Sequence, residues 1–269
     1  MTKSIIKTNT NKPAVKKNAK LTIAQLEKKM LKKFPAESAC EWDRTGLTVG
    51  NKNQEITNVA VALDVTPEAI RISQQSGANL LVTHHPAFVE AVESFYPGNK
   101  VFEAASRGVA LMNFHTALDL SEEGAGTLPR LLNLKDTGKM MGFGRVCKVK
   151  NMTLKQLAAR CKSVFGKTPR VWGDFATNVK TVVTSSGSAD VETLTDKFDC
   201  LICGEIKYHA ALDLTQSGKC IIDLGHDVSE LPFVGVLAKE IHACGVPKKN
   251  IILIDQTHNW TCPTSIKSN

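Results

Sequence analysis

The residues of this sequence that could do chemistry begin with two adjacent histidines, His84 and His85. They follow an apolar run, residues 80–83, and precede Pro86, which ends the run and favours an extended backbone at His85. The pattern predicts a buried strand with two imidazoles at its end. Taken alone, such a pair is more often an ordinary part of a loop than a metal site, so its interpretation depends on the rest of the chain.

Two further histidines are each followed, four residues later, by a carboxylate. His115 precedes Asp119, and His226 precedes Glu230. Residues four apart share one face of a helical turn, so each pair can present an imidazole and a carboxylate together. One such pair is weak evidence, but two pairs at matching places, together with the adjacent histidines, favour metal binding. Nitrogen and oxygen ligands suit zinc, manganese, iron or nickel better than copper(I) or an iron–sulfur cluster.

The number of candidate ligands exceeds what one tetrahedral ion requires. Neighbouring side chains of an extended backbone point to opposite sides, so adjacent histidines cannot easily bind one ion, but each can bind a different ion of a pair about 3.5–4 Å apart. A bridging carboxylate would balance the repulsion between the ions. A water shared by them would have a pKa low enough to give hydroxide near neutral pH.

The elements that would position these residues alternate between strand and helix. Thr22 and Gln25 form a capping-box pattern at the start of a first helix, and Trp42 is expected in the core. Strands are predicted at 59–64, 78–83 and 109–114, with helices at 67–75 and 100–107. Short connections between them predict a mainly parallel sheet covered by helices, with polar chemistry beyond the carboxyl ends of the strands.

The second part of the chain repeats this plan after a Gly- and Lys-rich joint. The joint covers 135–144; helices are predicted at 154–165 and 191–198, strands at 179–184, 200–203 and 220–224, and a turn at 185–188. One strand leads to Glu205 as its counterpart leads to His84, and another leads to His226 as its counterpart leads to His115. We interpret this as a degenerate duplication and predict an α/β fold of two similar halves, residues 21–134 and 135–269, with the metal site between them.

The net charge of +8 is concentrated at one end of the chain. Residues 1–20 hold six lysines and no acid, so the remainder carries 28 basic and 26 acidic groups. We expect 1–20 to be a disordered basic tail; a weak tether to an anionic surface such as nucleic acid and a targeting segment are the alternatives. No stretch approaches the roughly 18 apolar residues of a membrane span.

Eight cysteines are scattered through a chain that shows no secretory signal. This usage predicts reduced thiols in a cytoplasmic protein. Cys200 and Cys203 form a C-x-x-C pattern, but no second cysteine pair completes a zinc site, so we interpret them as core thiols.

Several short motifs occur in an order that resembles a known family. They are Trp42-Asp43 with Gly46-Leu47, Leu63-Asp64-Val65-Thr66, Thr83-His84-His85-Pro86, His115-Thr116 with Asp119, Gly204-Glu205 with His209, and Gly225-His226 with Glu230. Over about residues 21–262 they resemble the dinuclear metal-centre family called NGG-one-interacting factor three-like, also known as the GTP cyclohydrolase I type 2 family. The resemblance implies that His84, His85, Asp119, His226 and Glu230 bind the metal ions, with Glu230 bridging. It also implies a homohexameric ring whose sites face an internal cavity.

His115, Glu205 and His209 match polar positions near the ions in that family. We assign them to ligand orientation or proton transfer; the alternative is that they are ordinary hydrogen-bonded groups. Arg44, Ala117 and Asp227 depart from the residues usual in the family. These departures leave the ligands intact but change the wall of the pocket.

The leading hypothesis is a metal-dependent hydrolase that acts on a nucleotide with two divalent ions, zinc, iron or manganese. The resemblance implies GTP ring opening. Because the chain has no Walker-type loop, phosphate contacts would come from the ions or from Lys207 and Arg145. The competing hypothesis is a non-enzymatic protein for metal storage, metal delivery or a regulatory interaction, with nucleic-acid contacts through the basic tail.

Overall fold

Two β-sheets, each covered by helices on both faces, make up residues 20–257 and 260, the part of the chain that the computed structural model describes. The strands are β1 (Gly46–Val49), β2 (Val59–Ala62), β3 (Leu80–Thr83), β4 (Ala110–Asn113), β5 (Lys135–Met141), β6 (Gly144–Thr153), β7 (Arg170–Trp172), β8 (Asn178–Ser188), β9 (Cys200–Glu205), β10 (Cys220–Asp223) and β11 (Ile251–Leu253). The helices are α1 (Ile23–Met30), α2 (Pro67–Gln75), α3 (Lys100–Ser106), α4 (Thr116–Asp119), α5 (Glu122–Ala125), α6 (Thr127–Leu131), α7 (Leu154–Phe165), α8 (Tyr208–Gln216), α9 (His226–Glu230) and α10 (Pro232–Ala243). The predicted α/β fold with helix-covered sheets is confirmed.

The first sheet has the strand order β1-β4-β3-β2-β11, and all its pairings except β1 with β4 are parallel. Every residue of β2, β3 and β4 is buried, because alternate side chains enter two separate cores. On one face Val59 and Val61 pack with α1 and α10, and on the other Ala60 and Ala62 pack with α2 and α3. The mainly parallel sheet predicted for this half is confirmed.

The second sheet has the strand order β5-β6-β8-β9-β10-β7, and it is mixed rather than mainly parallel. Its centre, β8-β9-β10, is parallel as predicted, but β5, β6 and β7 pair antiparallel. Only two residues connect β5 to β6, and a parallel crossover needs a dozen or more. The chain therefore forms a hairpin here, where a joint at 135–144 is predicted.

Two more local predictions for the second half are wrong. The turn predicted at 185–188 is a continuation of β8, in which Gly187 lies at an irregularity of the pairing with β9. A glycine inside a strand can mark a bulge as well as a turn. The helix predicted at 191–198 is only a 3-10 turn, Val191–Thr193. Val191 and Leu194 still pack against the second sheet. Their spacing, which predicts a helix, is thus explained by their burial alone.

The two sheets share one arrangement around their central strands. In each, three parallel strands follow one another in chain order, and an antiparallel strand, β1 or β7, pairs with the third. Each third strand, β4 or β10, leads directly into a short helix, α4 or α9. This repetition agrees with the interpretation of an internal duplication.

The end of the described chain returns to the first sheet. Helix α10 places Phe233 and Leu237 in the same core as α1, and β11 pairs with β2. The division into halves at residue 135 stays a prediction, and the structure adds that residues 232–253 pack with the first sheet.

The cysteines and the chain ends complete the description. The seven cysteines of the described residues are free thiols, and Cys200 and Cys203 are fully buried, which raises the pKa of both. Within residues 20–257 none of the helices is long and apolar enough to span a bilayer. The predicted tail, apart from residue 20, lies outside the described residues.

Replacing Leu237 by alanine should lower the free energy of unfolding by about 2–5 kcal/mol, because it leaves a cavity between α10 and the first sheet. The matched control is Lys239→Ala on the exposed side of the same helix, which should change stability by less than about 0.5 kcal/mol. Urea unfolding followed by circular dichroism measures both. Equal effects of the two changes would contradict the packing of α10 described above.

Candidate metal centre

Three histidines, His84, His85 and His115, lie at the carboxyl ends of two neighbouring parallel strands of the first sheet. Because β3 and β4 pair with Thr83 opposite Asn113, the residues after them are neighbours. His84 and His85 follow β3, and His115 follows β4 at the start of α4. The ring of His115 lies 5.2 Å from that of His84 and 5.4 Å from that of His85, centroid to centroid.

The second half contributes His226 and Glu230 from α9. Gly225, with a φ of 100°, turns the chain from β10 into this helix, and its N–H donates to the carbonyl of Gly204. Glu230 is only 3% exposed. Gly187 of β8 comes so close that a Cβ atom there would lie 2.1 Å from Oε1 of Glu230. Only glycine fits at that position.

The carboxylate of Glu230 lies between three imidazoles. Its Oε2 is 3.0 Å from Nε2 of His85 and 3.0 Å from Nε2 of His226. Its Oε1 is 3.6 Å from Nε2 of His84, which is also 3.6 Å from Oδ1 of Asp119. The structure thus brings all five residues expected to bind metal into one cluster.

These atoms form two sets that could hold a metal ion and that share one carboxylate. One set is His84, Asp119 and Glu230; the other is His85, His226 and Glu230; within each, the candidate ligand atoms lie within 4.8 Å of one another. A third set combines His84, His85 and His115.

The hydrogen bonding of the cluster fits a metal ion. Nε2 of His84 and Oδ1 of Asp119 are buried 3.6 Å apart, and neither has a hydrogen-bond partner within the described part of the chain. Buried polar atoms are normally satisfied, and a cation between these two would give both of them a partner. Imidazole nitrogens and carboxylate oxygens are a donor set that divalent metals accept. The residues present therefore fit such an ion.

The second ring nitrogen of each histidine in the first half has a partner. Nδ1 of His84 lies 3.1 Å from the carbonyl of Phe114, and Nδ1 of His85 lies 2.8 Å from Oδ1 of Asp64. Nδ1 of His115 lies 3.3 Å from Oδ1 of Asp43. Contacts of this kind fix ring orientation and direct the other nitrogen to the cluster.

Asp64 and Asp43 belong to the sequence motifs, but no role was predicted for them. The position of Asp64 in the sequence could have indicated its role, because it follows a strand, β2, that is the parallel neighbour of the strand leading to His84 and His85. Burial opposes ionisation of Asp43, yet contacts with His115 and Thr116 lower its pKa to about 2. Both aspartates are therefore negatively charged partners of cluster histidines.

The electrostatics of the cluster favour positive charge. Contact with Glu230 raises the pKa of His226 to about 9. Burial opposes protonation of His85, but Asp64 and Glu230 outweigh it and raise its pKa to about 10. Burial raises the pKa of Asp119 to about 6, whereas the neighbouring imidazoles hold the pKa of Glu230 well below its usual range against the effect of burial. The negative charge that stabilises protons here would also stabilise a cation.

Two of the three residues expected to assist the ligands lie at the cluster. His115 contacts it as described, and Oε1 of Glu205, at the end of β9, lies 3.3 Å from Nδ1 of His226. His209 is exposed on α8 beside Tyr208, and none of the three ligand sets includes it.

Of the two basic residues predicted to contact phosphate, one is buried and the other is exposed to solvent. Arg145 is only 2% exposed and pairs with Glu122 and Asp136, so it is not free to meet a ligand. Lys207 is exposed just before α8.

The core position predicted for Trp42 is wrong. Its side chain is 54% exposed, and its ring lies edge-on to His115 with centroids 5.7 Å apart. The reason is the neighbouring Asp43, which turns inward to accept hydrogen bonds from the N–H and hydroxyl of Thr116. Trp42 lies in the turn that the N–H of Asp43 closes on the carbonyl of Cys40, and its ring is directed outward.

Comparison with known proteins finds relatives over most of the chain. It is 30% identical over 252 residues to a Streptomyces coelicolor protein named GTP cyclohydrolase 1 type 2 homolog, covering 84% of each chain. It is 28% identical over 219 residues to the Helicobacter pylori GTP cyclohydrolase 1 type 2, covering 78% of this chain and 87% of that one.

Solved structures share the fold. A hypothetical protein from Staphylococcus aureus superposes with a TM-score of 0.81 at 22% identity, covering 91% of this chain and 100% of that one. A Bacillus cereus protein related to NIF3 gives a TM-score of 0.79 at 18% identity, covering 92% and 100%.

The profile of one protein family spans both halves and all five residues of the cluster. It is described as Duf34/NIF3 (NGG1p interacting factor 3), and it matches residues 21–259. That range takes in both sheets, both short helices that carry the carboxylates, and the C-terminal return to the first sheet. The family resemblance of the sequence motifs is thus confirmed, and this chain belongs to the Duf34/NIF3 family.

Proposed function

We propose that this protein binds two divalent metal ions and is a metal-dependent hydrolase that acts on a nucleotide. The observation that carries the proposal is the pair of ligand sets that share Glu230. In this assignment His84 and Asp119 bind one ion, His85 and His226 bind the other, and Glu230 bridges them. Zinc, iron and manganese are the metals that suit these ligands.

Each of the two ligand sets that share Glu230 combines residues from both halves of the chain. His84 and His85 come from one strand end, yet of the two sets that share Glu230 each histidine belongs to a different one. Glu230 is buried and lies within 3.6 Å of a nitrogen of each. This position supports the proposal that a single carboxylate would contact both ions.

The residues around the two ligand sets support the hydrolytic part of the proposal. Bound divalent ions would polarise the substrate and lower the pKa of a coordinated water. Asp43 engages Nδ1 of His115, so Nε2 of that ring is the atom that can accept or donate a proton. Glu205 contacts Nδ1 of His226 and orients that ring. His209 is exposed on α8 and belongs to none of the three ligand sets, so of its two predicted roles we retain proton transfer.

Curated relatives supply the first substrate to test. Two of them carry the names GTP cyclohydrolase 1 type 2 homolog and GTP cyclohydrolase 1 type 2, so GTP is the candidate nucleotide for this chain. We also propose a homohexameric ring as the assembly, because the resemblance of the sequence motifs to the family implies one. Light scattering of the purified protein would measure its mass in solution.

Metal content should separate the two ligand sets. We expect Asp119→Ala and His226→Ala each to lower the content from about two ions per chain toward one, and Glu230→Ala to lower it further, because Glu230 belongs to both sets. The matched control is His209→Ala, which removes a histidine outside the sets and should retain the full content. Mass spectrometry of dialysed protein loaded with Zn²⁺ gives the numbers. Loss of all metal from every variant, or from none, would contradict two sets with one shared ligand.

Activity should depend on the shared carboxylate. Protein loaded separately with zinc, manganese or iron is incubated with GTP, and products are separated by chromatography. We expect turnover with at least one metal and a loss of at least about a hundredfold in Glu230→Gln, with circular dichroism unchanged. If metal binds but no metal supports turnover of GTP or another nucleotide, the hydrolase proposal fails and metal storage or delivery takes its place.

Metal binding should release protons and strengthen as the pH rises. The raised pKa values of His85 and His226 mean that both rings are positively charged at neutral pH without metal, with a proton on each ring nitrogen. A metal ion can bind only the neutral ring, which has one nitrogen free of a proton. Affinity for Zn²⁺ should therefore increase from about pH 6 to about pH 9. Calorimetry in two buffers of different ionisation enthalpy counts the released protons, and equal heats in both buffers would refute the expectation.

A further inference from the structure

We propose that Trp42 is the surface on which the planar ring of the substrate stacks beside the metal-binding cluster. The inference rests on the proposed function and deepens it. It names the residue that would distinguish a heterocyclic nucleotide from a phosphate ester without a base.

The position of Trp42 is the first observation. Its side chain is 54% exposed although tryptophan is usually well buried. Its ring meets His115 edge-on, at an interplanar angle of 68°, and the His115 ring in turn lies about 5 Å from the rings of His84 and His85. Only one ring therefore separates an exposed aromatic surface from the cluster.

The rigidity of its backbone is the second observation. The N–H of Cys40 donates to the hydroxyl of Thr116 over 3.0 Å, and the N–H of Asp43 donates to the carbonyl of Cys40 over 2.9 Å. The N–H and hydroxyl of Thr116 both donate to Oδ2 of Asp43. The residues on both sides of Trp42 are thus tied to α4, which ends in Asp119. A ligand that stacks on a side chain held by such a backbone orders little of the protein when it binds.

The charges around Trp42 indicate the class of ligand. Its neighbours Glu41 and Arg44 are exposed and charged, which does not suit the apolar centre of a protein interface. Nε of Arg44 donates to the carbonyl of Val89, and its guanidinium lies 5.8 Å from the Phe88 ring centroid. An exposed aromatic ring with a cation two residues away fits a planar base that carries a phosphate.

Tryptophan fluorescence tests the contact directly. The chain has three tryptophans, so Trp172→Phe combined with Trp260→Phe leaves Trp42 as the only one. Titration with guanosine monophosphate (GMP) should quench its fluorescence to saturation, whereas ribose 5-phosphate should not. Equal quenching by both compounds, or by neither, would overturn the proposal. If acrylamide also fails to quench, a second subunit covers Trp42.

Calorimetry on the zinc-loaded protein gives the contribution of the ring to affinity. We expect Trp42→Leu to weaken GMP binding about five- to a hundredfold, and Trp42→Phe, which keeps an aromatic face, to weaken it only a few-fold. The matched control is Phe175→Leu, which changes an exposed aromatic residue in the second half. Zinc content should stay equal in all three variants. Unchanged affinity in Trp42→Leu would contradict stacking.

GTP turnover separates this proposal from the proposed function. If Trp42 stacks on the base, Trp42→Leu raises KM while kcat changes little. If GMP quenches Trp42 but no nucleotide is turned over, stacking stands and the hydrolase proposal falls. If GTP is turned over and Trp42→Leu leaves both KM and GMP affinity unchanged, the hydrolase stands and the stacking proposal falls.

Discussion

The burial of one carboxylate, that of Glu230, is the constraint on which the rest of the structure depends. A buried charge is costly unless opposite charge and polar partners surround it, and here imidazoles from both halves do so. Those imidazoles must be held in place, which the carbonyl of Phe114 does for His84 and the carboxylates of Asp64 and Glu205 do for His85 and His226. The charge of Glu230 thus has imidazole partners from both sheets at the place where they meet.

Close packing beneath α9 supports the same carboxylate. Ser229 accepts a hydrogen bond from the N–H of Gly187 and donates one to the carbonyl of His226. A Cβ atom at Gly204 would lie 2.4 Å from the Ser229 hydroxyl oxygen, so the strand must carry glycine to come this close. The irregularity in β8 at Gly187 has the same effect on the other side. These glycines allow two strands to approach the helix that bears Glu230.

Local patterns in the sequence were sufficient for the elements that bear the cluster. The capping box at Thr22 and the helix Leu154–Phe165 lie where the pattern predicts them, and apolar runs ending in His84, His115 and His226 correctly place those residues at strand ends. The information is local because a helix cap and a run of apolar residues can both be recognised from residues that are neighbours in the sequence.

Features that depend on distant contacts could not be predicted in this way. The exposed strand β5 lacks the apolar alternation that marks a half-buried strand, and β11 pairs with β2 although Ile251 follows Val59 by 192 residues. The exposure of Trp42 follows from a contact between Asp43 and Thr116, 73 residues apart. The hydrogen bond between Asp64 and His85 also depends on a distant contact, because it forms only when β2 and β3 lie side by side.

The return of α10 to the first sheet has a consequence for the order of events during synthesis. Phe233, three residues after Glu230, packs in the core of the first half, and its ring lies 4.8 Å from that of His84. A nascent chain folds from its N-terminus, but the first half lacks this helix and its last parallel strand until residues 232–253 have left the ribosome. The core of the first half and the cluster are therefore completed together, late in synthesis, and an incomplete chain presents no finished site to a metal ion.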